Sequence, residues 1–131
     1  MPEFVASKCP PVSEHDAFTW GYLEAAEFTE CHGDNNPELR DADGFSREFL
    51  MLADSECAEF QRENATLLSA AEELGETAEQ AGRDFWLTRN GHGAGFWDRG
   101  LGVIGDRLTK AAHAYGEVAL YVNDDNLIDG E

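Results

Sequence analysis

Ala53, Cys57, Phe60, Leu67, Ala71 and Leu74 recur at alternating steps of four and three, with Asn64 the one polar member of the series. That spacing belongs to a helix, because a strand would bury every second residue. It predicts a long helical pattern starting around Phe45 or Ser46 and stopping at Gly75, a residue suited to the left-handed position that closes helices. The repeat is short for a coiled coil, so the seam is expected to pack on the domain's own core as one or two helices.

The same reasoning organises the rest of the chain. Pro10-Pro11 keep residues 1–12 an irregular arm. Ser13 is the expected N-cap of a first helix whose apolar face is Phe18, Tyr22 and Ala25, widened by Trp20 and Leu23. The run from His32 to Pro37 is rich in helix breakers and ends that helix near Cys31, opening a polar loop over 33–44. Beyond Gly75, Thr77 caps a short helix that Gly82 is expected to end. Phe85 to Arg89 has the aromatic and branched residues of a strand, and Asn90-Gly91 is a hairpin signal that would return the chain along Phe96-Trp97. Leu101, Ile104, Leu108, Ala111 and Tyr115 form an amphipathic helix stopped by Gly116. Val118, Leu120 and Val122 alternate as a strand, Asp124-Asp125-Asn126 turns the chain, and Leu127-Ile128 adds a terminal edge strand. The predicted class is α+β: acidic helices followed by a small antiparallel sheet carrying one helix. At 131 residues the chain suits a single domain, 1–131, with a helical part over 13–80 and a glycine- and aromatic-rich part over 81–131.

Charge narrows the functional classes. Twenty-seven acidic residues against nine basic ones give a net charge of −18. Such a field opposes direct binding to nucleic acid or to an anionic membrane and attracts basic surfaces. The excess lies in residues 1–80, where 19 Asp/Glu face 4 Lys/Arg. Within 83–116 the balance reverses: Arg83, Arg89, Arg99, Arg107 and Lys110 outnumber Asp84, Asp98 and Asp106, leaving a locally basic island. Cys9, Cys31 and Cys57 are far apart and odd in number, which fits a reducing compartment better than a disulfide framework. Cys31 and His32 are adjacent, a poor geometry for one metal, and no paired zinc-ligand spacing occurs. No metal and no cofactor is expected. Without a membrane span or a signal-peptide pattern, the expected location is the cytoplasm.

The densest stretch for chemistry is RNGHGAGFWDRG, residues 89–100. His92 could act as an acid or base, with Asp98 or Asp84 orienting it and Arg89 and Arg99 assisting an anion held by backbone N–H groups. The stretch nevertheless fails the known templates: Phe96 stands where G-x-G-x-x-G needs glycine, and neither a P-loop lysine nor a nucleophile motif is present. A glycine turn with a solvent-facing histidine is the simpler reading. Phe85, Trp86, Phe96 and Trp97 are expected to be core rather than a base-stacking platform. The acidic helices offer a second candidate. Glu24, Glu27 and Glu30 form one row and Glu56, Glu59 and Glu63 another, with Glu48 and Glu73 nearby. Carboxylates three or four residues apart rise about 4.5–6 Å along a helix, near the spacing of about 3.4 Å between strand phosphates. Such rows could occupy the basic groove of a nucleic-acid-binding protein as phosphate mimics. A solvated acidic face or adaptation to high salt gives the same composition.

Residues 81–122, AGRDFWLTRNGHGAGFWDRGLGVIGDRLTKAAHAYGEVALYV, resemble the C-terminal part of a family of small acidic proteins encoded by bacteriophages and related mobile elements. FTECHGDNNPEL and CAEFQRENATLL resemble the same family in the same order, so the likeness spans roughly residues 18–128. It brings no catalytic residue with it. It implies a phage accessory protein made inside a bacterial cell, and small phage proteins of this character include anti-CRISPR and anti-restriction inhibitors. The leading expectation is a noncatalytic inhibitor, monomer or homodimer, that binds a host nucleic-acid-binding defence protein through an acidic DNA-mimic surface. The alternatives are a small enzyme or anion-binding protein centred on residues 89–100, and an oligomeric structural or regulatory phage protein.

Overall fold

The computed structural model describes residues 15–31 and 36–131. The order is α1 (Ala17–Glu30), α2 (Pro37–Arg40), α3 (Arg47–Glu63), α4 (Ala65–Glu73), α5 (Ala78–Arg89), a 3₁₀ turn (Phe96–Asp98), α6 (Val103–His113), β1 (Leu120–Val122) and β2 (Ile128–Gly130). The class is α+β, with helices dominant and one two-stranded antiparallel sheet. Among the described residues no helix is long and apolar enough to cross a membrane.

The centre of the fold is the parallel pairing of α1 with α5. Phe18 meets Gly82, Tyr22 meets Phe85 and Trp86, and Thr29 meets Trp86, so both helices advance in the same direction. Glycines let the two backbones touch. A Cβ added at Gly21 would lie 2.0 Å from the Glu79 carbonyl oxygen, and one at Gly82 would lie 1.8 Å from that of Phe18. Around this crossing the rings of Phe18, Tyr22, Phe60, Phe85, Phe96 and Tyr115 pack on one another, Phe60 over Phe85 at 4.2 Å. Such contacts add to the burial of large apolar areas.

The expected seam is used as core: Ala53, Cys57, Phe60 and Ala71 are buried, while Leu74 is 60% exposed. The helix does not run unbroken. Asn64, at φ −119° and ψ 25°, separates α3 from α4, and its side-chain amide donates to the Phe60 carbonyl. Ser46 caps α3 by accepting from the Phe49 N–H. The expected Ser13 cap lies outside the described residues; Asp16 caps α1, accepting from the Thr19 N–H at 2.7 Å.

Four expectations between Thr77 and Trp97 are corrected. Thr77 does cap a helix, but Gly82 lies inside it rather than at its end. Phe85 to Arg89 continues α5 and is not a strand. Phe85 points to Phe60 and Trp86 to Tyr22 and Thr29, so burial on several sides outweighs strand propensity. Asn90-Gly91 closes the helix instead of turning a hairpin: Gly91 has φ +70°, the His92 N–H reaches the Leu87 carbonyl and the Gly91 N–H that of Thr88. This is the Schellman arrangement. The expected return strand at Phe96-Trp97 is a 3₁₀ turn, with Phe96 buried and Trp97 largely exposed. Among the described residues the sheet is therefore the C-terminal hairpin, with register Leu120–Gly130, Tyr121–Asp129 and Val122–Ile128, and Phe45 adds an isolated bridge to Ile128. Its turn is held by Asn123, whose side-chain oxygen accepts from Asp125 and Leu127, and by Asn126 at φ +61°.

Candidate functional site

The structure separates the candidate residues of the 89–100 stretch. Arg89, on the last turn of α5, is 4% exposed. It donates to Glu56 at 2.6 Å, to the Tyr22 hydroxyl at 3.1 Å, and to the Gly116 and Tyr115 carbonyls at 2.7 and 3.0 Å. Its guanidinium also lies over the Phe85 and Tyr115 rings. His92 turns to α1, where its buried Nε2 lies 3.2 Å from Glu30 without hydrogen-bond alignment. Asp98 is exposed. Arg99 reaches back to α5, Nε donating to both Asp84 oxygens at 3.1 Å and Nη2 at 2.8 Å. Four different directions do not make one site. Gly95 has a packing reason: a Cβ there would lie 2.3 Å from the Thr88 Oγ1, which accepts from the Phe96 N–H.

Sequence reasoning offered Asp84 only as an alternative orienter of His92, whereas the structure gives Asp84 to Arg99 and His92 to Glu30; Glu76 counted only as part of the acidic excess. Asp84 is fully buried, held by Arg99 and by Gln80 Nε2 at 3.2 Å. Glu76 follows the Gly75 helix stop and is 7% exposed. Burial, a hydrogen bond with Asp84 and the charge of Asp84 push its carboxyl up to about 8, against the pull of Arg99. Its buried Oε2 has no donor. Both facts agree if Glu76 carries a proton at neutral pH and shares it with Asp84, since like carboxylates in contact cannot both ionise. Only the i, i+4 spacing of Gln80 and Asp84 hinted at this centre.

The acidic rows divide in two. Glu24, Glu30 and Glu56 turn to cations: Glu24 accepts from Arg83 at 2.8 Å, Glu30 faces His92 and Glu56 holds Arg89. Glu27, Glu48, Glu59, Glu63 and Glu73 are exposed, Glu59 accepting from the Tyr115 hydroxyl. Glu48, Glu59 and Glu63 share one face of α3 and span about 22 Å along it. The break at Asn64 puts Glu73 on a different axis, so the rows are not one ladder. The basic island is broken up as a surface: Arg83 also binds Glu79, Arg89 and Arg99 turn to carboxylates, and Arg107 and Lys110 remain exposed on α6.

A groove of about 660 Å³ opens between α1, α5 and the loop after it. From α1 come Glu24, Ala25, Glu27 and Phe28; from across it come Arg83, Leu87, Ala94 and Arg99. A smaller cleft of about 270 Å³ lies beside Glu76, among Phe18, Leu68 and Ala81. Burial pushes the Cys57 and Cys31 thiols up, Cys31 to about 11, which removes their thiolate character at neutral pH. Among the described residues no three His, Cys, Asp or Glu side chains gather as a metal-binding group. No family model, curated protein or solved structure matches the chain.

Proposed function

We propose that this protein is a noncatalytic inhibitor that binds a basic, nucleic-acid-contacting surface of a bacterial defence protein through its exposed carboxylates. The resemblance of residues 18–128 to phage proteins supplies the biological setting. The observation that carries the reading is the direction of the charges. Of nine Lys and Arg residues, Arg40, Arg83, Arg89 and Arg99 are each paired with a carboxylate of this chain. The carboxylates left facing solvent include the Glu48, Glu59 and Glu63 stripe of α3 and Glu73 of α4. A surface of that sign steers a cationic partner and repels phosphate. An acid–base centre at residues 89–100 has no comparable support, because its four side chains point apart: Arg89 to Glu56, His92 to α1, Asp98 to solvent and Arg99 to Asp84.

Phage plating on bacteria that carry a defined CRISPR–Cas or restriction system tests the proposal. Expression of the protein is expected to restore plating on at least one such strain. The triple variant Glu48→Gln, Glu63→Gln, Glu73→Gln, folded by circular dichroism, is expected not to. Undiminished defence across a panel of systems, or full effect from the triple variant, overturns it.

A further inference from the structure

We infer that the groove between α1, α5 and the 91–99 loop seats an apolar side chain flanked by lysine or arginine on the protein partner. This rests on the inhibitor reading for the partner's basic character and adds where that partner is anchored. Exposed carboxylates speed encounter and select a partner, but solvated ion pairs add little affinity. Stable complexes depend on a few desolvated anchors, usually apolar or aromatic and ringed by polar contacts.

The groove has the composition of such an anchor point. Its volume of about 660 Å³ admits a large side chain and part of its helix. Ala25, Phe28, Leu87 and Ala94 supply the apolar lining, and Phe28 is 74% exposed. Large aromatic side chains on a surface are a usual mark of protein contact. The local charge sets the partner's chemistry. Arg83 is neutralised by Glu24 and Glu79, and Arg99 by Asp84, which leaves Glu27 as a lining carboxylate beyond those pairs. The complementary occupant is therefore apolar with a cation beside it, rather than an anionic ligand. Both sides of the groove are preformed. The Gly21–Gly82 crossing fixes α1 against α5, and the Arg99–Asp84 pair ties the loop to α5, so little ordering entropy opposes docking.

The full chain, ¹⁵N-labelled, would be titrated with synthetic peptides of equal length: an amphipathic Leu/Lys helix, a Ser/Lys peptide of the same charge, and a Leu/Glu helix. The Leu/Lys peptide is expected to shift the amides of Ala25, Phe28, Leu87 and Ala94 saturably. The Ser/Lys peptide should perturb only the carboxylate faces of α3 and α4, and the Leu/Glu peptide nothing. Phe28→Ala should weaken the Leu/Lys peptide about tenfold or more while the spectrum stays folded. The inference falls if Leu/Lys shifts map to α3 instead, if Ser/Lys fills the groove equally, or if Phe28→Ala leaves affinity unchanged. The two proposals separate in the plating test. Restored plating that survives Phe28→Ala removes the groove and keeps the inhibitor; groove binding without any effect on defence does the reverse.

Discussion

A guanidinium that has lost most of its water needs partners for each N–H, and Arg89 finds them on three sides. Glu56, the Tyr22 hydroxyl and two carbonyls at the end of α6 converge on it, joining α1, α3, α5 and the chain after α6. Arg89→Met removes the donors and leaves Glu56 unbalanced, which costs about 3–5 kcal/mol for a buried pair. Lysine should not rescue it, since its three donors lack the planar fork. Urea denaturation of Arg89→Met, Glu56→Gln and the double variant checks this: the double is expected to lose less than the sum of the singles. Glu76 makes a different prediction. Its carboxyl titrates near 4.5 when unfolded and at about 8 when folded. The folded state thus holds the proton more tightly, so its contribution is complete below pH 4.5, falls as pH rises, and is gone above about 8. Glu76→Gln keeps the shape and cannot ionise. Relative to wild type it should gain on the order of 1–3 kcal/mol at about pH 9, the cost of an unsatisfied buried group, and little at about pH 4. Equal urea midpoints at both pH values would show that no proton is shared with Asp84.

At the α1–α5 crossing the sequence's glycines differ in what they do. Alanine at Gly21 or Gly82 places a Cβ about 2 Å from a backbone carbonyl oxygen, which cannot swing aside as a side chain could. Either change should cost about 1–3 kcal/mol or more as the helices part. Gly93, with nothing within 4 Å of its would-be Cβ, should accept alanine within about 0.5 kcal/mol. Thermal melts of the three variants check the contrast. What was legible beforehand follows the same division between local and tertiary causes. The seam from Ala53 to Ala71, the start of its helix at Phe45 or Ser46, the Thr77 cap, the amphipathic α6 and the Asp124–Asn126 turn are written in neighbouring residues, and each formed. Phe85 to Arg89 reads as strand by its own residues and becomes helix because partners on α1 and α3 bury it on several sides. Gly82 reads as a stop because nothing nearby announces the Phe18 carbonyl it touches. The candidate residues were legible as types and not as a site: Arg89 and Arg99 looked like a basic patch, but their partners Glu56 and Asp84 come from elsewhere in the fold. Glu76 was hidden among other acids because burial, which makes it distinct, is a property of the packed helices.

The acidity of the molecule can be divided by what each carboxylate does for folding. Glu24 and Glu56 balance arginines, so removing them should destabilise the fold. Glu48, Glu63 and Glu73 face solvent on a chain of net charge −18; Glu63 and Glu73 add mainly repulsion there, while Glu48, in the first turn of α3, also gains from the helix dipole. Salt screens exposed charges, the Debye length shrinking from about 30 Å at 0.01 M to about 3 Å at 1 M. Wild type should therefore melt at a higher temperature as NaCl is raised. The triple variant Glu48→Gln, Glu63→Gln, Glu73→Gln should already be as stable as wild type or more so at low salt, and should gain less from added salt. Differential scanning calorimetry across a salt series reads both effects. A triple variant that is less stable than wild type at low salt would mean that these carboxylates support the fold, and their outward placement would no longer need a partner to explain it. If instead they cost stability, folding at low salt gives no reason for the chain to keep them, and the plating experiment decides between a basic surface that receives them and adaptation to high salt.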